Sequence, residues 1–335
     1  MFAVVVAVTL AAGAGAWLPP QLLSTTVVEL VRAASDTCES LPLDALTSGQ
    51  IIPELKFVEF TRTSTRKYSL TRAHTQGFSA ASQLIVYIPG WWNTPTDESS
   101  SALVDALLTK NPTVLILDTR ASFCRGYVSS ALQVHGIGHR LFMFIKNLYL
   151  QGFPISKIHL VGFSLGAHVA GVTGRLVQKN LKRNLGRITA LDPARPCFLK
   201  PSRYRLRRED AGFVHVLHTS SGVVGLEEPI GHIDVYVNGV TSNQPECRDR
   251  AITLECDHAQ SWRLYSASVG NESILTGSEC LSWNELKNKR CSGDRINVGY
   301  GCGPHARGLF LYRTQVEKRS LRVFNPFDIR TWFHR

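Results

Sequence analysis

The sequence predicts an α/β fold, a mostly parallel sheet with helices on both faces. Three observations lead there. Short apolar runs of strand length recur along the chain at residues 83–88, 113–117, 187–191, 213–217 and 233–237. Stretches with helical spacing separate the earlier ones, which is the alternation a parallel sheet requires. The run at 83–88 is apolar almost throughout, as a strand covered on both faces would be.

In chain order, residues 17–50 read as irregular. Residues 57–61 and 67–70 alternate apolar and polar like antiparallel strands. The strand at 83–88 runs into Pro89-Gly90-Trp91-Trp92. A helical pattern at 101–110 precedes the strand at 113–117. A longer helix over 128–150 carries Ile137, Leu141, Ile145 and Leu148 on one face. The next strand, from Lys157, turns at once into Gly162-Phe163-Ser164-Leu165-Gly166 and a helix over 165–180.

That turn organises the function. Strand, Gly-x-Ser-x-Gly and helix in immediate succession force a tight, strained bend at Ser164, with Gly162 and Gly166 where side chains would collide with the neighbouring strand or helix. The bend lifts the Ser164 hydroxyl clear of the sheet. The helix start offers the Leu165 N–H to a developing oxyanion. A second donor is expected from the loop after an earlier strand, and the backbone N–H of Trp91 is assigned to it.

Active groups in open α/β sheets lie beyond the carboxyl ends of strands. The strand after the elbow helix ends at Leu191 and delivers Asp192 beside the serine. A serine hydroxyl is hardly ionised at neutral pH, so a histidine must take its proton. Eleven histidines compete. His159 and His215 lie inside strands and read as core residues. His168 is near Ser164 but is fixed to the elbow helix. His258 follows Cys256-Asp257, after what reads as the last core strand and at the start of a helix through Trp262, Leu264 and Tyr265. It gives the chain order Ser164, Asp192, His258 known for such elbows. Chain order alone does not fix the distances.

The first 16 residues are apolar, too short to span a bilayer, and end in Ala14-Gly15-Ala16 before Trp17. They are expected to be a secretory signal peptide, although a basic start is missing. Residues 17–335 then form one domain of the chain's 335 residues, exported and soluble, with no low-complexity linker or repeat. Eight cysteines in an exported chain suggest up to four disulfides. Asn271-Glu272-Ser273 is a glycosylation acceptor. The net charge of +11 comes with no nucleic-acid-binding motif, so nucleic acid is not expected as a partner. Arginines gather at 203, 205, 207 and 208 and again at 319, 322, 330 and 335, which points to an anionic lipid surface.

Over roughly residues 55–315 the chain resembles the pancreatic lipase family of α/β-hydrolases. The stretches that carry the resemblance are residues 162–168, residues 188–194, Gly231-His232-Ile233-Asp234 and Cys256-Asp257-His258. The resemblance implies Ser164, Asp192 and His258 as a triad that hydrolyses lipid esters. Phe163 and Pro89 stand where many members carry histidine. It further implies no cofactor. No C-terminal β-sandwich domain is expected, and therefore no colipase-like partner.

Within the family, the lid is a disulfide-closed loop before the catalytic histidine, here Cys247 to Cys256, only nine positions apart. Just Ala251, Ile252 and Leu254 in it are apolar, and the loop from Thr219 to Ile230 is also trimmed. Both features resemble the phospholipase A1 branch and short-lid insect lipases. In calcium-binding members the segment after the acid carries acidic ligands. Here Ser202 and Arg207 fall at two of those positions and only Asp210 keeps its charge, so no metal is expected. The resemblance also implies Cys280–Cys291 and Cys38–Cys124 bridges, leaving Cys197 and Cys302 to pair or stay free. The leading expectation is a secreted ester hydrolase leaning to phospholipase A1. A triacylglycerol lipase or galactolipase is the alternative, and a non-catalytic, yolk-like lipid-binding protein the rival from another class.

Overall fold

The structure is a computed structural model that describes residues 33, 37–38, 51–70, 78, 82–199, 202–241, 243–248 and 253–314. The expected signal peptide, the basic tail and part of the lid loop lie outside the described residues.

The strands are β1 (Lys56–Thr61), β2 (Thr65–Ser69), β3 (Leu84–Ile88), β4 (Thr113–Asp118), β5 (Ile158–Phe163), β6 (Arg187–Leu191), β7 (Phe213–His218), β8 (Ile233–Val237), β9 (Thr276–Cys280), β10 (Arg295–Asn297) and β11 (Gly308–Tyr312). The helices are α1 (Glu98–Leu108), α2 (Arg120–Phe123), α3 (Tyr127–Leu150), α4 (Leu165–Leu181), α5 (Thr253–Gly270) and α6 (Trp283–Lys287). Among the described residues the strands form one sheet in the order β10-β9-β11-β8-β7-β6-β5-β3-β4-β1-β2. Its centre, from β4 to β11, is parallel; β1, β2, β9 and β10 add antiparallel edges.

Strand β3 shows why apolar runs without alternation are strands here. Leu84, Val86 and Ile88 enter a core shared with α3 and α4, whereas Ile85 and Tyr87 enter a second core shared with α1 and α5. Both faces are covered, so both parities must be apolar. The expected elements are all present, with small shifts at their ends. Helix α1 begins earlier than its apolar pattern because the Asp97 side chain accepts the Ser100 N–H and caps it.

Three expectations need correction. Strand β11 follows the expected helix and pairs in parallel with β8, so β8 is not the last core strand. His258 lies within α5 rather than at its start. Cys38 is bonded to Cys197, not to Cys124. Both partners are buried in the core beneath α3 and α4, with 4.9 Å between their Cα atoms, inside the reach of a disulfide. Cys197 presents itself there from a left-handed turn, φ 71°, just beyond Asp192-Pro193. Cys124 ends α2 half-buried and unbonded, as is buried Cys302. The Cys247–Cys256 and Cys280–Cys291 bridges are present.

Candidate active site

Parallel register brings the site together. Ile88 of β3 pairs with Gly162 of β5, Phe163 with Leu191 of β6, and Leu191 with Leu217 of β7. The residues that follow these ends, Gly90-Trp91, Ser164, Asp192 and Thr219-Ser220, therefore emerge side by side at the carboxyl edge.

The elbow is strained and close-packed. Ser164 sits at φ 55°, ψ −118°, ahead of α4, a conformation that L-residues rarely adopt. A Cβ on Gly162 would lie 2.5 Å from the Gly166 carbonyl oxygen, and one on Gly166 would lie 2.0 Å from that of Ile88. Glycine is required at both positions. A Cβ on Gly90 would meet the Ser164 Cβ at 2.9 Å, so the loop after β3 passes directly over the serine. Next to it, the indole N–H groups of Trp91 and Trp92 both donate to the Arg125 carbonyl, at 2.8 and 3.1 Å, and tie this loop to the end of α2. Leu165, the first residue of α4, has no acceptor within its helix for its N–H.

Asp192 is fully buried at φ 44°, with its N–H on the Leu217 carbonyl at 2.8 Å. His258 donates from Nδ1 to Asp192 Oδ2 at 2.5 Å. Thr219 and Ser220 donate backbone N–H groups to Oδ1 at 2.8 and 3.0 Å, and the Ser220 hydroxyl donates to Oδ2. Burial pushes the Asp192 pKa up, but the His258 hydrogen bond and charge, with those of Ser220 and Thr219, outweigh it and hold the carboxyl below its usual range. Because a carboxylate only accepts, Nδ1 carries a proton, and in the neutral ring the lone pair is on Nε2. The imidazole is slightly exposed and lies against the Phe163 ring, centroids 4.5 Å apart.

The other three candidate histidines, His168, His159 and His215, are held inside the core. His168 stacks on Phe198 at 3.8 Å, donates from Nε2 to the Ala194 carbonyl and accepts the Leu206 N–H at Nδ1. Burial drives its pKa down to about 3, so it stays neutral. His159 meets the Thr189 hydroxyl at 2.9 Å inside the core, and His215 bridges Arg187 and the Val298 carbonyl.

A residue that sequence reasoning passed over is Asp257. Its Oδ1 accepts the Gln244 N–H at 2.8 Å, and its buried Oδ2 has no partner among the described residues. Burial raises its pKa to about 7, opposed by the Gln244 N–H and reinforced by the charges of Asp192 and Glu246. The folded chain therefore keeps this proton to near pH 7, whereas an unfolded chain loses it near pH 4. Between those values the unfolded state binds fewer protons, so stability falls as pH rises. Asp257→Asn is expected to melt above wild type at pH 8, by on the order of 2–4 kcal/mol, with the gap closing towards pH 4. Melting curves that keep the same separation across that range would contradict the assignment.

Calcium does not fit the segment after Asp192. Asp210 accepts Arg175 Nε on Oδ1 at 3.1 Å and Nη2 on Oδ2 at 2.8 Å. The same guanidinium takes the carbonyls of Arg203 and Arg205. A cation already fills this ring of oxygens. Neither added calcium nor a chelator is expected to move the melting temperature, as a bound metal would by mass action. A chelator-induced fall would overturn this.

A lipase family model matches residues 33–318, and the chain belongs to that family, the pancreatic lipase group of α/β-hydrolases. Lipase member H-B of Xenopus laevis is 38% identical over 181 residues, which cover 52% of this chain and 38% of that protein. Pancreatic triacylglycerol lipase of Myocastor coypus is 27% identical over 279 residues, covering 75% of this chain and 60% of that one. The matches thus span less than two thirds of these relatives' lengths. Among solved structures, a phospholipase/carboxylesterase from Dyadobacter fermentans aligns over 53% of this chain and 78% of its own, with 16% identity and a TM-score of 0.33.

Proposed function

We propose that the chain is a secreted hydrolase of lipid carboxylic esters, acting through Ser164, His258 and Asp192, and that it favours phospholipids in the manner of a phospholipase A1. The 2.5 Å contact from His258 Nδ1 to a buried Asp192, at the strand next to the serine elbow, carries this reading. Ser164 Oγ attacks the ester carbonyl as His258 Nε2 takes the hydroxyl proton. The oxyanion of the tetrahedral intermediate is met by the N–H groups of Leu165 and Trp91. His258 returns the proton to the leaving alcohol, and an acyl-enzyme remains. Water, deprotonated by the same nitrogen, then releases the fatty acid and restores Ser164. Asp192 holds the tautomer and meets the imidazolium charge.

The phospholipase lean rests on the short Cys247–Cys256 loop and the trimmed loop before β8. Leu254, one of three apolar residues in the lid, is buried in α5, so little apolar lid surface is left to cover an acyl cleft. A charged head group can then approach. An anionic bilayer suits the exposed Arg203, Arg207 and Arg208; Arg205, expected among them, is instead buried and paired with Glu228 at 3.3 Å. The disulfides suit an oxidising compartment, and exposed Asn271 suits a glycan. Similarity to a pancreatic triacylglycerol lipase keeps neutral glycerides as the second reading.

Purified protein assayed on phosphatidylcholine vesicles and triolein emulsion separates the two. Faster fatty-acid release from the vesicles is expected. Turnover of triolein alone would replace phospholipase with triacylglycerol lipase.

A further inference from the structure

We infer that Ser220 is a positioning residue for the Asp192–His258 pair, fixing the orientation of the acid and moderating how strongly it holds the imidazolium. This deepens the hydrolase reading and rests on it.

Four donors converge on the Asp192 carboxylate, and two belong to one residue. Ser220 donates its backbone N–H to Oδ1 at 3.0 Å and its hydroxyl to Oδ2, the oxygen that also accepts His258 Nδ1. Bridging both oxygens prevents the carboxylate from rotating about its Cβ–Cγ bond. Gly225 shares its N–H between the Ser220 carbonyl and Ser220 Oγ, each at 3.0 Å, which engages a lone pair of the hydroxyl and favours the O–H that points at Asp192. Gly225 also seals the site, because a Cβ there would lie 2.5 Å from Asp192 Oδ1. Ser220 and its neighbour Thr219 are fully buried, so bulk water does not compete for the carboxylate here.

Sharing Oδ2 has a chemical consequence. A hydroxyl on that oxygen draws negative charge away from the imidazole and shields the carboxylate from alternative geometries. Without it, Asp192 is less well aimed, and its charge concentrates on His258 and favours the imidazolium before the reaction begins. A misaimed base lowers kcat, and a histidine that holds its proton to higher pH moves the acid limb of the rate profile upward. A serine that only built the loop would do the first without the second. Ser221 supplies an internal control: it is buried beside Ser220, and its hydroxyl has no partner among the described residues.

The test uses the full chain with a soluble ester, p-nitrophenyl butyrate, from pH 5 to 9. Ser220→Ala is expected to lower kcat by about 10- to 100-fold, the effect of one hydrogen bond to a charged group. KM should stay within about a factor of two. The acid limb of kcat/KM should rise by about half a pH unit. Ser220→Thr should approach wild type, and Ser221→Ala should match it in rate and limb. Asp257 titrates alike in all of these proteins and cancels in the comparison. Adding Ser220→Ala to Asp192→Asn should slow the enzyme no further, because the hydroxyl acts through the carboxylate. If Ser220→Ala does not fold, Ser220→Thr against Ser220→Cys carries the test, with only threonine expected to keep the wild-type limb. An unmoved limb, or losses that multiply with Asp192→Asn, overturns the proposal. A wild-type chain that turns over no ester overturns the hydrolase reading with it, whereas an active wild type matched by Ser220→Ala overturns the proposal alone.

Discussion

His258→Ala is expected to reduce turnover by roughly 10⁴- to 10⁶-fold while changing the melting temperature little. The imidazole is slightly exposed, and its ring packs on Phe163 without filling a core position. Its removal leaves a small gap at the cleft, although Asp192 keeps three of its four donors. On the proposed mechanism the chemistry loses the group that takes the Ser164 proton. His168 cannot substitute, because one ring nitrogen is committed to the Ala194 carbonyl, the other to the Leu206 N–H, and burial keeps it neutral. The converse substitution, His168→Ala, should lower stability, because it opens a cavity against Phe198 and strands the Leu206 N–H. Rates and melting curves on both variants check the assignment. Similar rate losses in both, with both folds intact, would mean that the base has been misassigned.

The second large effect falls on the fold. Gly166→Ala is expected to destabilise the chain by roughly 3–5 kcal/mol. Its new methyl would stand 2.0 Å from the Ile88 carbonyl oxygen and 2.7 Å from that of Pro89, both backbone atoms. These cannot turn aside as a side chain would, because β3 is paired to β4 on one side and β5 on the other. Gly126→Ala is the matched control. A Cβ there meets nothing within 4 Å, and the cost should stay below about 1 kcal/mol. Urea titrations of both variants measure the difference. Equal midpoints would show that the elbow relaxes, and with it would go the claim that it is tightly wedged.

The placement of the candidate site residues was largely legible because it depends on strand order and strand ends. The elbow announces itself by type and spacing, and Asp192 follows from the rule that strand ends carry the chemistry. Strands buried on both faces announce themselves by lacking alternation, as β3 does. What was not legible depends on contacts between distant loops. Ser220 carries no periodic or motif signal; only the fold reveals that its hydroxyl reaches Asp192. The Cys38–Cys124 bridge implied by the resemblance does not form, because Cys197 arrives beside Cys38 through a left-handed backbone turn that no sequence pattern announces. Strand β9, Thr276-Gly277-Ser278-Glu279-Cys280, is polar and held by its neighbours rather than by its own pattern. Asp257 looked like part of a motif beside the histidine. Its unpartnered oxygen became visible only once Gln244 was placed against it.

The most direct measurement of the central claim is mass spectrometry of the purified protein after reaction with a fluorophosphonate probe. A phosphonyl group needs an activated serine and a donor-lined hole for its oxygen, so it tests the proposed roles of Ser164, His258 and the N–H groups of Leu165 and Trp91 together, whatever lipid is preferred. One adduct per chain is expected, on the peptide containing Ser164, lost in Ser164→Ala and strongly slowed in His258→Ala. Folded protein that takes no label, or takes it on another serine, would contradict it.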